Sequence, residues 1–99
     1  MYRIFLTNEF LKQLKKIDSR IRKGLEKKIE EYISPQLKQE PHFGKNVKKL
    51  RGYVPETWRY RIGSFRLFYI IDEVEKIVAL ISIDDRTDAY RKKKGEGSV

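Results

Sequence analysis

Between Trp58 and Tyr69, apolar and polar side chains alternate with period two on both sides of Gly63-Ser64, as WRYRI and then FRLFY. Two such runs around a Gly-Ser pair predict a β-hairpin with one buried and one exposed face. A two-residue loop sets Ile62 opposite Phe65, Tyr60 opposite Leu67 and Trp58 opposite Tyr69, all on one face. The other face receives Arg59, Arg61 and Arg66, with Arg61 and Arg66 directly opposed. Like charges in that relation destabilise a sheet by roughly 0.2–1 kcal/mol unless something negative lies over them. The pattern therefore predicts an anion bound on the arginine face.

The rest of the chain is read by the same periodicities. Tyr2 to Thr7 predicts a short opening strand, after which Thr7 or Asn8 can cap a helix carrying Phe10, Leu11, Leu14 and Ile17. Asp18 or Ser19 can cap a second helix, in which Ile21, Leu25, Ile29, Tyr32 and Ile33 form one apolar stripe. Its many lysines and arginines, interleaved with Glu26, Glu30 and Glu31, read as a solvated face. Ser34-Pro35 predicts the helix end, and the stretch to Lys45 a long loop. Val47 to Leu50 reads as extended, and Lys76 to Ile83 as a last strand, apolar on both faces and so interior to the sheet. The predicted fold class is α+β: an antiparallel sheet of about four strands in the order β-α-α-β-β-β, with an N-terminal helical hairpin on one face. Residues 1–91 form a single domain in this reading, and residues 92–99 a basic, flexible tail.

Ninety-nine residues suffice for one domain with a single two-layer core. Lys and Arg number 23 against 14 Asp and Glu, a net charge of +9, which points to a polyanionic partner such as nucleic acid or an acidic protein. Cysteine is absent, so no disulfide framework and no thiolate metal site is expected. No apolar run is long enough for a signal-peptide core or a membrane span, and the expected location is cytoplasmic.

The element order, KLRG before the hairpin, YRIGSFRLFY through it, and then Arg86 four residues before Tyr90-Arg91 together resemble the RelE/ParE toxin superfamily, from about Tyr2 to Arg91. The resemblance implies a toxin of a type II toxin–antitoxin system, held in a hetero-oligomer by an acidic cognate antitoxin encoded by an adjacent gene. It implies one of two activities: RelE-like members cut mRNA on the ribosome without a metal or other cofactor, whereas ParE-like members poison DNA gyrase and lack the nuclease residues. By resemblance, Arg66 lies at the position of the transition-state arginine, Arg86 at that of a second catalytic arginine, and Tyr90 at that of the C-terminal tyrosine that stacks on or deprotonates the nucleotide.

Metal-free RNA cleavage needs a base for the ribose 2′-OH, cations for the phosphorane and an acid for the leaving oxygen. Arg59 and Arg61 fall where RelE-like members carry lysines. They keep the charge, but a guanidinium does not surrender its proton and cannot be the base. Lys48 and Lys49 are candidates for phosphate contact. His42 and Glu56 are alternative bases on chemical grounds, but a loop histidine and a pre-strand carboxylate without partners in view read first as surface residues. Asp84 and Asp85 lower the positive potential beside Arg86. The leading expectation is an endoribonuclease acting by 2′-OH attack, with Arg66, Arg86 and Tyr90 catalytic and Arg59, Arg61, Lys48 and Lys49 binding RNA. Its rivals are a gyrase inhibitor and an inactive RNA-binding member.

Overall fold

The hairpin forms in the expected register. Strands β3 (Trp58–Ile62) and β4 (Phe65–Asp72) pair Ile62 with Phe65, Arg61 with Arg66, Tyr60 with Leu67 and Trp58 with Tyr69. Gly63, at φ +57°, takes the first turn position, where a side chain would be strained. The computed structural model describes residues 1–85. Arg86, Tyr90 and the expected tail at 92–99 lie outside the described residues.

Ahead of the hairpin come β1 (Arg3–Leu6), α1 (Asn8–Lys15), α2 (Ser19–Lys28), α3 (Ser34–Gln39) and β2 (Val47–Lys49); β5 (Ile77–Asp85) follows it. The sheet has five strands in the order β1-β5-β4-β3-β2, and β1 runs parallel to β5. This corrects the expectation of about four antiparallel strands. A tight turn announces the β3–β4 pairing in sequence, but β1 and β5 stand at opposite ends of the described chain and have no local signal. Thr7 secures their junction: its hydroxyl donates to the Leu80 carbonyl at 2.9 Å and accepts from the Phe10 amide, capping α1.

The helices cover one sheet face. Phe10, Leu14, Leu25, Ile29, Ile33 and Leu37 bury against Tyr60, Leu67, Tyr69, Val78 and Leu80. Proline does not end the helix at Ser34-Pro35 as the sequence predicts. The chain widens into a π turn over Ile29–Ile33, with the Ser34 amide bonded to the Ile29 carbonyl, and α3 continues from Ser34 to Gln39. Proline lacks an amide N–H and crowds the preceding turn, and a wide turn before it relieves that crowding. The widening also keeps Leu25, Ile29, Ile33 and Leu37 on one line, because a four-residue spacing over-rotates on a regular α-helix. The buried stripe is thus these four residues, while Ile21 and Tyr32, expected within it, are exposed.

The opposite sheet face has no covering layer among the described residues. β5 is interior to the sheet as expected, between β1 and β4, with Val78 and Leu80 fully buried, but it is not buried on both faces: Ile77, Ala79 and Ile81 on its outer side are only half-buried. The register shift between Phe68 and Tyr69 leaves Ile81 as an extra, unpaired residue, a bulge in β5.

Candidate nucleic-acid interface

The sheet face opposite the helices carries the arginines. Alternation along β3 and β4 sends Arg59, Arg61, Arg66 and Phe68 to the side opposite buried Trp58, Tyr60, Leu67 and Tyr69. Lys48 on β2 is in register with Arg59 and joins the same row. The Arg61 amide donates to the Asn46 carbonyl at 3.0 Å, so it points toward β2 and away from β4. Arg61 and Arg66 therefore form a non-hydrogen-bonded pair, the kind in which opposed side chains come closest.

β5 supplies the answering charge. Asp84 is in register with Arg66 on the far side of β4, and its Oδ2 accepts from the Arg66 Nη2 in a half-buried ion pair. The guanidinium carbon also lies 6.0 Å from the centre of the Phe68 ring, a cation–π contact. The Nε atoms of Arg59 and Arg66 are buried without a hydrogen-bond partner in the structure. Neither Arg59 nor Arg61 has an acidic partner among the described residues. A cleft of about 420 Å³ opens beside Arg61, lined by Lys28, Tyr32, Asn46, Tyr60 and Ile62.

Lys49 is separated from this row. It is in register with Trp58 on the helix side, where its ammonium pairs with Glu56 at 3.3 Å and lies 5.9 Å from the Trp58 ring centre. Trp58 itself is buried and stacked on Tyr69, with ring centres 6.4 Å apart.

The family described as ParE toxin of type II toxin-antitoxin system, parDE, matches residues 4–90. The chain belongs to the RelE/ParE toxin superfamily. Among solved structures it is similar to the toxin-antitoxin complex RelBE2 from Mycobacterium tuberculosis, with 27% identity, a TM-score of 0.68, and 86% of this chain and 98% of that one covered. It is also similar to the intact E. coli RelBE toxin-antitoxin complex, with 26% identity and a TM-score of 0.63 over 86% of this chain and 96% of that one. The isolated E. coli RelE toxin, 24% identical, shares the fold at a TM-score of 0.63 over 97% of this chain and 98% of that one. No curated protein matches by sequence.

Within this superfamily frame the structure brings Arg59, Arg61, Arg66 and Lys48 onto one face, leaves Lys49 on the other, and leaves Arg86 and Tyr90 outside the described residues. His42 is no solvated loop residue. Its Nδ1 lies 2.9 Å from Glu40 and its Nε2 3.3 Å from Glu73. The ring meets Trp58 edge-on at 5.4 Å and Tyr2 at 6.1 Å, and Tyr2 donates its hydroxyl to Glu73 at 2.8 Å. The hydrogen bonds from His42 hold the Glu40 carboxyl below its ordinary range, and the bond to Glu73 pushes the Tyr2 phenol up. This cluster ties β1, the segment after α3 and the β4–β5 turn together at the Trp58 end of the sheet. Arg61 is three residues further along β3, roughly 10 Å at strand rise. Glu56 is likewise engaged at that end by Lys49.

Two contacts on the arginine face differ in how far the sequence announces them. Phe68 was legible there, because period two puts it beside Arg66. The pairing of Asp84 with Arg66 was not, since it depends on the β4–β5 register beyond the bulge.

Proposed function

We propose that this toxin is a metal-independent endoribonuclease that cleaves ribosome-associated mRNA by attack of the ribose 2′-OH. The observation that carries the reading is the row Lys48, Arg59, Arg61 and Arg66 on a sheet face that no described element covers, with the Phe68 ring among the cations. Guanidinium groups match phosphate oxygens, and a flat face with an aromatic suits a single strand better than a duplex groove. Arg66 and Arg86 would hold the scissile phosphate and stabilise the phosphorane, and Arg59, Arg61 and Lys48 the flanking phosphates. His42 and Glu56 are engaged at the far end of β3, and the family resemblance makes Tyr90 the base or the stacking residue; as the base, its phenol would need cations to lower it from about 10. An acidic antitoxin would neutralise the toxin by covering the arginine face or displacing Tyr90, in keeping with the toxin-antitoxin complexes to which the chain is similar.

The test is primer extension on a reporter mRNA after brief induction. Cleavage with a 5′-OH and a 2′,3′-cyclic or 3′-phosphate is the expected result; 5′-phosphate ends rule out 2′-OH attack. A second reading, a ParE-like inhibitor of DNA gyrase without chemistry, is favoured by the match to the ParE toxin family and by an acid beside Arg66. Replication arrest with intact mRNA would select it.

A further inference from the structure

We propose that Asp84 is a built-in competitor for the phosphate site at Arg66, resting on the reading of the arginine face as an RNA-binding surface. Three observations meet at this residue. The β4–β5 register puts Asp84 directly beside Arg66, and its carboxylate takes the Nη2 of that guanidinium. Arg61, directly opposite Arg66 on the other neighbouring strand, has no acid among the described residues. Both side chains of the pair stay reachable, at 32% exposure for Arg66 and 38% for Asp84.

A carboxylate and a phosphodiester present the same pair of oxygens to the guanidinium fork, so one excludes the other from the bonded edge. An incoming phosphate must displace Asp84, whose half-buried side chain retains access to solvent and can rotate toward it. An isolated phosphate gains little from that exchange, because it trades one ion pair for another. A strand that also engages Arg59, Arg61 and Lys48 overcomes it through the additional contacts. Asp84 thus sets a threshold that rejects small phosphorylated molecules and admits an extended backbone.

The test compares wild type, Asp84→Asn, Asp84→Ser, Arg61→Ala, Arg66→Ala and the Arg66→Ala/Asp84→Asn double variant. Two probes are titrated: inorganic tripolyphosphate, and a single-stranded RNA with 2′-O-methyl groups, which cannot be cleaved. Each neutral variant at position 84 is expected to bind both probes about fivefold tighter, the scale of a half-exposed ion pair, and the gain should vanish without Arg66. Arg66→Ala alone should lose less tripolyphosphate affinity than Arg61→Ala, because the Arg66 charge is already answered; this comparison needs no change at Asp84. A gain of equal size in the Arg66→Ala background would mean that Asp84 acts only through net charge, and the proposal would fall. So would unchanged binding in a variant that melts like wild type, and if RNA still bound, the RNA reading would survive it. Tighter, Arg66-dependent tripolyphosphate binding with no RNA binding by any variant would keep the Asp84 competitor and remove the RNA reading.

Discussion

Arg61 and Arg66 face each other across the β3–β4 hairpin, but among the described residues only Arg66 has a carboxylate beside it, that of Asp84. The anion expected from the sequence over this pair is supplied, at least for one arginine, by the chain itself. The two positions should respond differently to truncation. Arg61→Ala removes the repulsion and breaks no ion pair, so unfolding stability is expected to hold or rise by a few tenths of a kcal/mol. Arg66→Ala removes the same repulsion but strands Asp84, and the net change is expected between zero and a loss of about 1 kcal/mol, since the pair is partly solvated. Urea denaturation of both variants measures the contrast, and a loss of several kcal/mol at Arg66 would place it in a larger structural network.

Tyr90 separates the two activities. If it is the base, Tyr90→Phe keeps the ring and deletes the oxygen that accepts the proton, and cleavage should fall roughly 10²–10⁴-fold. If it only stacks, Phe should serve nearly as well and Ala poorly. Toxicity retained by both variants, with intact mRNA, would direct attention to gyrase.

Association with single-stranded RNA should weaken steeply with salt. Each phosphate neutralised on a single strand contributes a log–log slope of about −0.7, so engagement of four cations gives a slope near −3. Arg61→Ala should flatten it by about 0.7, and Lys49→Ala should leave it unchanged, because Lys49 projects to the other face. Fluorescence anisotropy across a salt series reads both slopes. Equal effects at Lys49 and Arg61 would mean that the sheet face is not the contact surface.

The cluster at Tyr2, Glu40, His42 and Glu73 should make stability sensitive to acid. Because folding lowers the Glu40 carboxyl, its contribution is present above the ordinary glutamate range and is lost as pH falls through the depressed folded value. Wild type is therefore expected to lose more stability between about pH 5 and pH 3 than Glu40→Gln does. Chemical denaturation at both pH values decides it, and parallel losses would show that Glu40 is not a source of the acid sensitivity.

The buried Tyr69 hydroxyl, which donates to the Pro41 carbonyl at 2.6 Å, fastens the segment after α3 to β4. Tyr69→Phe keeps the packing but leaves that carbonyl without its donor, at an expected cost of about 1–3 kcal/mol. A change below about 0.5 kcal/mol would show that the carbonyl finds another donor.

The hairpin, the arginine face, the two helix caps and the apolar positions of β5 were legible in the sequence, because each depends on neighbours a few residues apart. Period two alone decides that Arg59, Arg61 and Arg66 share a face, and Gly63-Ser64 fixes which residues oppose them. Beyond that range the local signal ends. Pro35 looked like a helix stop, but the core holds Leu25, Ile29, Ile33 and Leu37 in line and the backbone widens to pass it. His42 looks in sequence like a free loop side chain, but its distant partners are Tyr2, Trp58 and Glu73, which meet only when β1, β3 and the β4–β5 turn are assembled in one sheet. The Arg66–Asp84 pair likewise depends on a register set across a bulge. The sequence determined which side chains point together within an element; tertiary structure decided which elements meet, because that choice is made by burying distant apolar surfaces against one another.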